Sequence, residues 1–134
     1  MNTAVIFWSG TGNAEAMAQA VAEGAGTDAV EVSAFSADLA DFDAIAFGCP
    51  AMGDEVLEED TFEPFFADNL SKLSGKKIAL FGSYGWGDGQ WMREWEARVK
   101  EAGAELVADG LTVNEAPDDD ALAQCKELGA KLAG

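Results

Sequence analysis

Short apolar runs alternate along this chain with longer segments whose apolar residues recur every three or four positions. The short runs lie near Thr3–Trp8, Ala29–Val32, Ala44–Cys49, Lys77–Phe81 and Glu105–Val107, the last resuming at Leu111–Val113. Their length and near-continuous apolar character predict buried strands. A helix is predicted near Gly12–Ala25, where Ala14, Met17, Ala18, Val21 and Ala22 fall at helical spacing. A second is predicted near Thr61–Leu73, with Phe62, Phe65 and Phe66 on one side and Pro64 in its first turn, where proline is tolerated. In a third, near Gly89–Ala102, Trp91 and Trp95 align with Val99 and Ala102 as core residues. A final helix starts near Asp118, whose acidic first turn suits the helix dipole, and runs through Leu122, Cys125, Leu128 and Leu132. Strands alternating with helices predict an α/β fold, a doubly wound parallel sheet covered on both faces.

A chain of 134 residues with 49% apolar positions is sized for one domain, residues 1–134, with no repeat or linker. The apolar runs are too short to span a bilayer, and no charged segment precedes an apolar one in the manner of a signal peptide. The expected location is cytoplasmic. The net charge is -17, no Lys or Arg occurs before Lys72, and fourteen acidic residues lie in that stretch. Such a surface repels nucleic acid and anionic membranes and suits basic partners. With no histidine, the Ser-His triad and histidine-based metal sites are excluded. Cys49 and Cys125 form no C-x-x-C pair and read as buried, reduced thiols. The chain's own side chains make a poor catalyst, so reactivity has to come from a bound cofactor.

Three loops after predicted strands carry the candidate chemistry. Trp8-Ser9-Gly10-Thr11-Gly12-Asn13 joins strand one to the first helix. A helix entry offers unpaired N–H groups and partial positive charge, both suited to phosphate. Ser9, Thr11 and Asn13 add polar donors, and Gly10 and Gly12 let the backbone come close. No lysine follows, as a Walker loop requires, and the third glycine of a dinucleotide fingerprint is replaced by Glu15. In Gly82-Ser83-Tyr84-Gly85-Trp86-Gly87-Asp88-Gly89, Trp86 stands between glycines and presents a flat face for stacking. In Ala51-Met52-Gly53-Asp54-Glu55, Met52 suits an aromatic face, the Gly53 peptide can turn over, and Glu55 can accept from a ring imide. The three together suit a phosphorylated aromatic cofactor.

These segments, in this order and at these spacings, resemble those of the short-chain flavodoxins of anaerobic bacteria, and the likeness runs from strand one to the last helix. The resemblance implies a flavodoxin-like five-stranded parallel sheet in the order 2-1-3-4-5. It implies noncovalently bound FMN and one-electron transfer, cycling between neutral semiquinone and anionic hydroquinone at low potential, rather than enzymatic turnover. Trp8, Ser9, Gly10, Thr11, Gly12, Asn13 and the Ala14 N–H would form the phosphate loop. In the second loop, Ala51 and Met52 would border the inner flavin face. The Gly53-Asp54 peptide would face N5, and Glu55 would hold N3–H. The backbone around Ser83, Tyr84, Gly85 and Gly87 would meet the pyrimidine edge, and Trp86 would stack on the outer face. Ala14 replaces a family threonine, and Pro50 a serine of some relatives, so a weaker grip on phosphate is expected. The acids Asp54, Glu55, Glu58, Glu59, Asp60 and Glu63 would disfavour the anionic hydroquinone and steer basic redox partners to a monomer.

A response-regulator receiver needs acidic residues where Trp8-Ser9 stand and a phosphoacceptor where Cys49-Pro50 stand. A cysteine phosphatase needs an arginine close after its cysteine, and the first arginine here is Arg93. The remaining alternatives are a small FMN-dependent reductase of similar fold and a related binding module without FMN.

Overall fold

The computed structural model describes residues 2–10, 12–52, 56–85, 87 and 89–134. The calls on Thr11, Gly53, Asp54, Glu55 and Trp86 therefore lie outside the described residues. Strand β1 spans Thr3–Phe7, β2 Ala29–Glu31, β3 Ala44–Gly48 and β4 Lys77–Tyr84. The fifth position of the sheet is shared by β5, Glu105–Leu106, and β6, Leu111–Asn114. All pairings are parallel, and the order is β2-β1-β3-β4 with β5 and β6 both on β4, the expected 2-1-3-4-5 arrangement. Helices α1 (Asn13–Ala25), α2 (Phe62–Asn69), α3 (Gln90–Glu101) and α4 (Asp119–Ala133) cover the sheet.

Neighbouring strand residues point to opposite faces, so each apolar run feeds two cores at once. Val5, Phe7, Ala46 and Phe81 pack with Met17 and Val21 of α1 and Cys125, Leu128 and Leu132 of α4. Ile6, Ile45, Phe47 and Leu80 pack on the other face with Phe62 and Phe66 of α2 and Trp91 and Trp95 of α3. That second core is aromatic. The Phe47 and Phe66 rings meet edge to face at 5.2 Å, and Phe62 and Trp95 at 5.6 Å, an arrangement their ring quadrupoles favour. Both tryptophans expected in the core are there, each 1% exposed.

Two differences from the sequence expectation concern how the strands end. The fourth strand was expected to stop at Phe81, but β4 continues through Gly82, Ser83 and Tyr84. Those three residues pair with Thr112, Val113 and Asn114 of β6, so a late strand segment extends the ladder past the turn chemistry that glycine and serine suggest. The polar stretch after β2 contains two short 3-10 turns, Val32–Ala34 and Leu39–Asp41, which tuck Val32 and Leu39 into the core.

Candidate functional site

The carboxyl ends of β1, β3 and β4 lie side by side, and chain leaving each of them lines one cavity of about 490 Å³. Ligands of open α/β sheets bind at this edge, in pockets of roughly 300–1,000 Å³. Trp8, Gly10 and Asn13 line it from the β1–α1 connection, Pro50, Ala51 and Met52 from the segment after β3, and Ser83, Tyr84 and Gly85 from the end of β4. Eight sequence-predicted site residues thus meet at one place: Trp8, Gly10, Asn13, Ala51, Met52, Ser83, Tyr84 and Gly85.

Other predicted residues sit behind or beside these walls. Gly12 precedes α1 with φ 96°, a left-handed conformation that suits glycine. As glycine it brings no side chain to cap the helix, and a helix entry of this kind suits an anion. Ser9 Oγ accepts the Gly12 N–H at 3.0 Å and fixes this turn. Ala14 is 1% exposed, so its side chain is buried behind the loop and only its backbone is left to meet a ligand. Gly87 is exposed, in a left-handed conformation with φ 91°.

The floor of the site is a tight junction between β3, β4 and α3. The Cys49 N–H donates to the Phe81 carbonyl at 3.1 Å, and the Ala51 N–H to the Ser83 carbonyl at 3.0 Å. Trp91 Nε1 donates to the Cys49 carbonyl at 3.2 Å, and the Trp91 ring packs against Tyr84 at 5.7 Å. Gly82 makes this junction possible: a Cβ there would lie 2.2 Å from the Cys49 carbonyl oxygen. Cys49 itself is fully buried, and burial pushes its thiol up to about 12, so it is an inert core residue beneath the site.

Pro50, singled out in the sequence for the serine it replaces, lines the wall as well, and sequence reasoning missed two further wall residues, Glu115 and Ala116. Glu115 and Ala116 follow β6, and the Glu115 N–H donates to the Tyr84 carbonyl at 2.7 Å, which carries the β4–β6 ladder up to the cavity rim. Glu115 adopts φ 60°. Non-glycine residues adopt the left-handed region uncommonly, and only coordinates reveal that this one stands on the cavity wall.

The acidic group after β3 also divides. Glu58 is buried, Glu63 is paired with Arg98 at 2.7 Å, and Glu59 and Asp60 are exposed. Of those four, only Glu59 and Asp60 face solvent as a charged partner-steering surface requires, while Asp54 and Glu55 lie outside the described residues.

The flavodoxin family model matches residues 5–129. The chain is 49% identical to the flavodoxin of Clostridium beijerinckii over 96% of this chain and 97% of that one. It is 47% identical to the flavodoxin of Megasphaera elsdenii, covering 96% of each. The solution structure of two-electron reduced Megasphaera elsdenii flavodoxin superimposes with a TM-score of 0.85, covering 98% of both chains at 44% identity. The chain belongs to the flavodoxin family. As a flavodoxin it uses FMN and carries electrons. The residues present fit that group. The cavity has the volume and the flat apolar walls, in Trp8, Met52 and Tyr84, for a heterocycle, and the uncapped entry of α1 adjoins it through Gly10 and Asn13. Among the described residues no helix is long and apolar enough to cross a membrane, and no cluster of side chains is arranged to hold a metal ion.

Proposed function

We propose that this flavodoxin is a low-potential one-electron carrier whose noncovalently bound FMN works between the neutral semiquinone and the anionic hydroquinone. The observation that carries the reading is the convergence of three strand-end segments on one cavity of about 490 Å³. Ser9, Gly10, Thr11, Gly12, Asn13 and the Ala14 N–H hold the phosphate without a basic side chain, through backbone dipoles, hydroxyls and an amide. Ala51 and Met52 would lie along the inner face of the ring and Trp86 along the outer one. The Gly53-Asp54 peptide would face N5, where glycine allows the exposed group to change from N–H to C=O. Glu55 would accept from N3–H, and Ser83, Tyr84, Gly85 and Gly87 would offer backbone groups to the pyrimidine edge. Bound FMN supplies the electron storage; the chain sets which charge states are tolerated.

Electrostatics disfavours the fully reduced anion. One unit charge at roughly 10 Å costs about 0.4 kcal/mol in water, on the order of 20 mV for one electron, and more where the dielectric is lower. Glu59, Asp60 and the cavity-rim Glu115 act in this sense, and with Asp54 and Glu55 they steer basic redox partners to the exposed flavin edge. Such encounters are transient and weaken with salt.

Stepwise anaerobic reduction of the FMN-loaded protein, followed by visible spectroscopy, tests the reading. A long-wavelength band of the neutral radical, rising and then decaying as reduction proceeds, is expected. Direct two-electron bleaching together with steady NADH oxidation would assign a reductase instead.

A further inference from the structure

The chain leaves the sheet at Cys49, passes the cavity, and returns as α2, and it is tied down on both limbs. The outgoing limb is held on β4 by the Cys49 and Ala51 N–H groups. Met52 N–H donates to the Val56 carbonyl at 2.9 Å and brings the limbs together. The returning limb is held by Glu58. Its backbone N–H donates to Cys49 Sγ at 3.4 Å, and its carbonyl accepts from the Glu63 N–H at 2.8 Å. Its carboxylate accepts three more N–H groups, from Asp60 at 2.8 Å, Thr61 at 2.8 Å and Phe62 at 2.7 Å. The Phe62 N–H opens α2, and the Asp60 and Thr61 N–H groups lie in the turn that leads into it. Thr61 sits at the capping position but its side chain makes no capping bond, so the carboxylate three residues earlier does that work. The group is only 6% exposed, unlike its neighbours Glu59 and Asp60.

We propose that Glu58 is a positioning residue for the loop that borders FMN: its carboxylate clamps the returning limb at residues 56–58 to the start of α2, and this anchor, rather than its charge, governs what the loop offers the flavin. The inference rests on the reading that Ala51–Glu55 contacts FMN. A buried carboxylate satisfied by three amide donors and a helix end contributes little field outside, but losing it frees the returning limb and leaves those donors unpaired. Its weight in the redox behaviour is therefore mechanical.

Two variants separate the clamp from the charge. Glu58→Asp keeps the charge and shortens the reach, whereas Glu59→Gln removes a neighbouring exposed charge and leaves the clamp. Amide hydrogen exchange at Met52, Asp60, Thr61 and Phe62 reads the clamp, and potentiometry of the FMN-loaded proteins reads the flavin. Glu58→Asp is expected to lower protection at these amides about tenfold, the scale of a lost helix cap. It should also reduce the maximal fraction of one-electron-reduced flavin, although no charge has changed. Glu59→Gln is expected to leave protection and the first potential as they are and to raise the second potential alone, whereas Glu58→Asp should also lower the first. Wild-type protection in Glu58→Asp would overturn the clamp. Lost protection with wild-type potentials would overturn the positioning role if Gly53→Val does shift them. If Gly53→Val is silent as well, the reading that this loop contacts FMN has failed. Should Glu58→Asp fold poorly, Glu58→Gln read beside Glu59→Gln repeats the test, because each removes one charge and only the first turns an amide N–H toward the clamped donors.

Discussion

Gly82→Ala places a methyl group at the junction beneath the cavity, and its effect can be worked from the surrounding atoms. The new Cβ would lie 2.2 Å from the Cys49 carbonyl oxygen and 3.1 Å from Cζ2 of Trp91. The nearer atom belongs to the backbone of β3's continuation, which is itself paired to Phe81 and Ser83 on β4, so it cannot swing aside. Overpacking of a closed core costs about 1–3 kcal/mol. The displaced Cys49 carbonyl also loses the Trp91 indole donor, about 0.5–1.5 kcal/mol. Against this, replacing glycine within a strand regains about 0.5–1 kcal/mol of backbone entropy. The net expectation is a loss of about 2–3 kcal/mol, a fall in Tm of about 6–12 °C at this size. Because Pro50 and Ala51 lie on one side of the junction and Ser83 and Tyr84 on the other, FMN affinity should fall with stability. Urea unfolding of the apoprotein and fluorescence titration with FMN measure the two. Unchanged stability and a dissociation constant within twofold of wild type would refute the argument that Gly82 holds these walls together.

Ser9→Ala removes the acceptor of the Gly12 N–H and a proposed phosphate donor, so FMN should bind roughly fivefold more weakly or worse, on a net bond of about 1 kcal/mol; equal affinity by titration would count against it. Burial alone would raise the pKa of Glu58, but the N–H groups of Phe62, Thr61 and Asp60 outweigh it and hold the carboxyl below its ordinary value. A depressed folded-state pKa means this stabilisation is complete above about pH 4.3 and is lost as pH falls through the folded value. The urea midpoint of the wild type should therefore decline more steeply with acid than that of Glu58→Gln. Burial pushes the Cys125 thiol up to about 11 as it pushes Cys49 to about 12, so neither should react with iodoacetamide at pH 8 until urea is added.

The order of elements was legible because each strand is apolar on both faces and each helix repeats its own period, signals that survive without coordinates. The candidate loops were legible because Gly10, Gly12 and Gly85 stand at strand ends, where glycine has few other reasons to recur. What stayed hidden depends on partners distant in sequence. Gly82–Tyr84 reads as turn chemistry until β6 is known to pair with it. Glu115 and Ala116 carry no local signature; their place on the cavity rim comes from that same pairing. Glu58 reads as one more acid in an acidic run, and nothing in its neighbours tells that it is turned inward onto the entry of α2 while Glu59 and Asp60 face solvent. The signal that could have found it is its position three residues before the threonine at the cap of α2, whose own side chain is unused.

A crystal structure of the FMN-loaded protein tests the central claim most directly. The account predicts the ring in the cavity between Met52 and the Tyr84–Gly85 end of β4, with the phosphate at the entry of α1 beside Ser9 and Asn13. A flavin seated elsewhere, or a phosphate away from that entry, would contradict it.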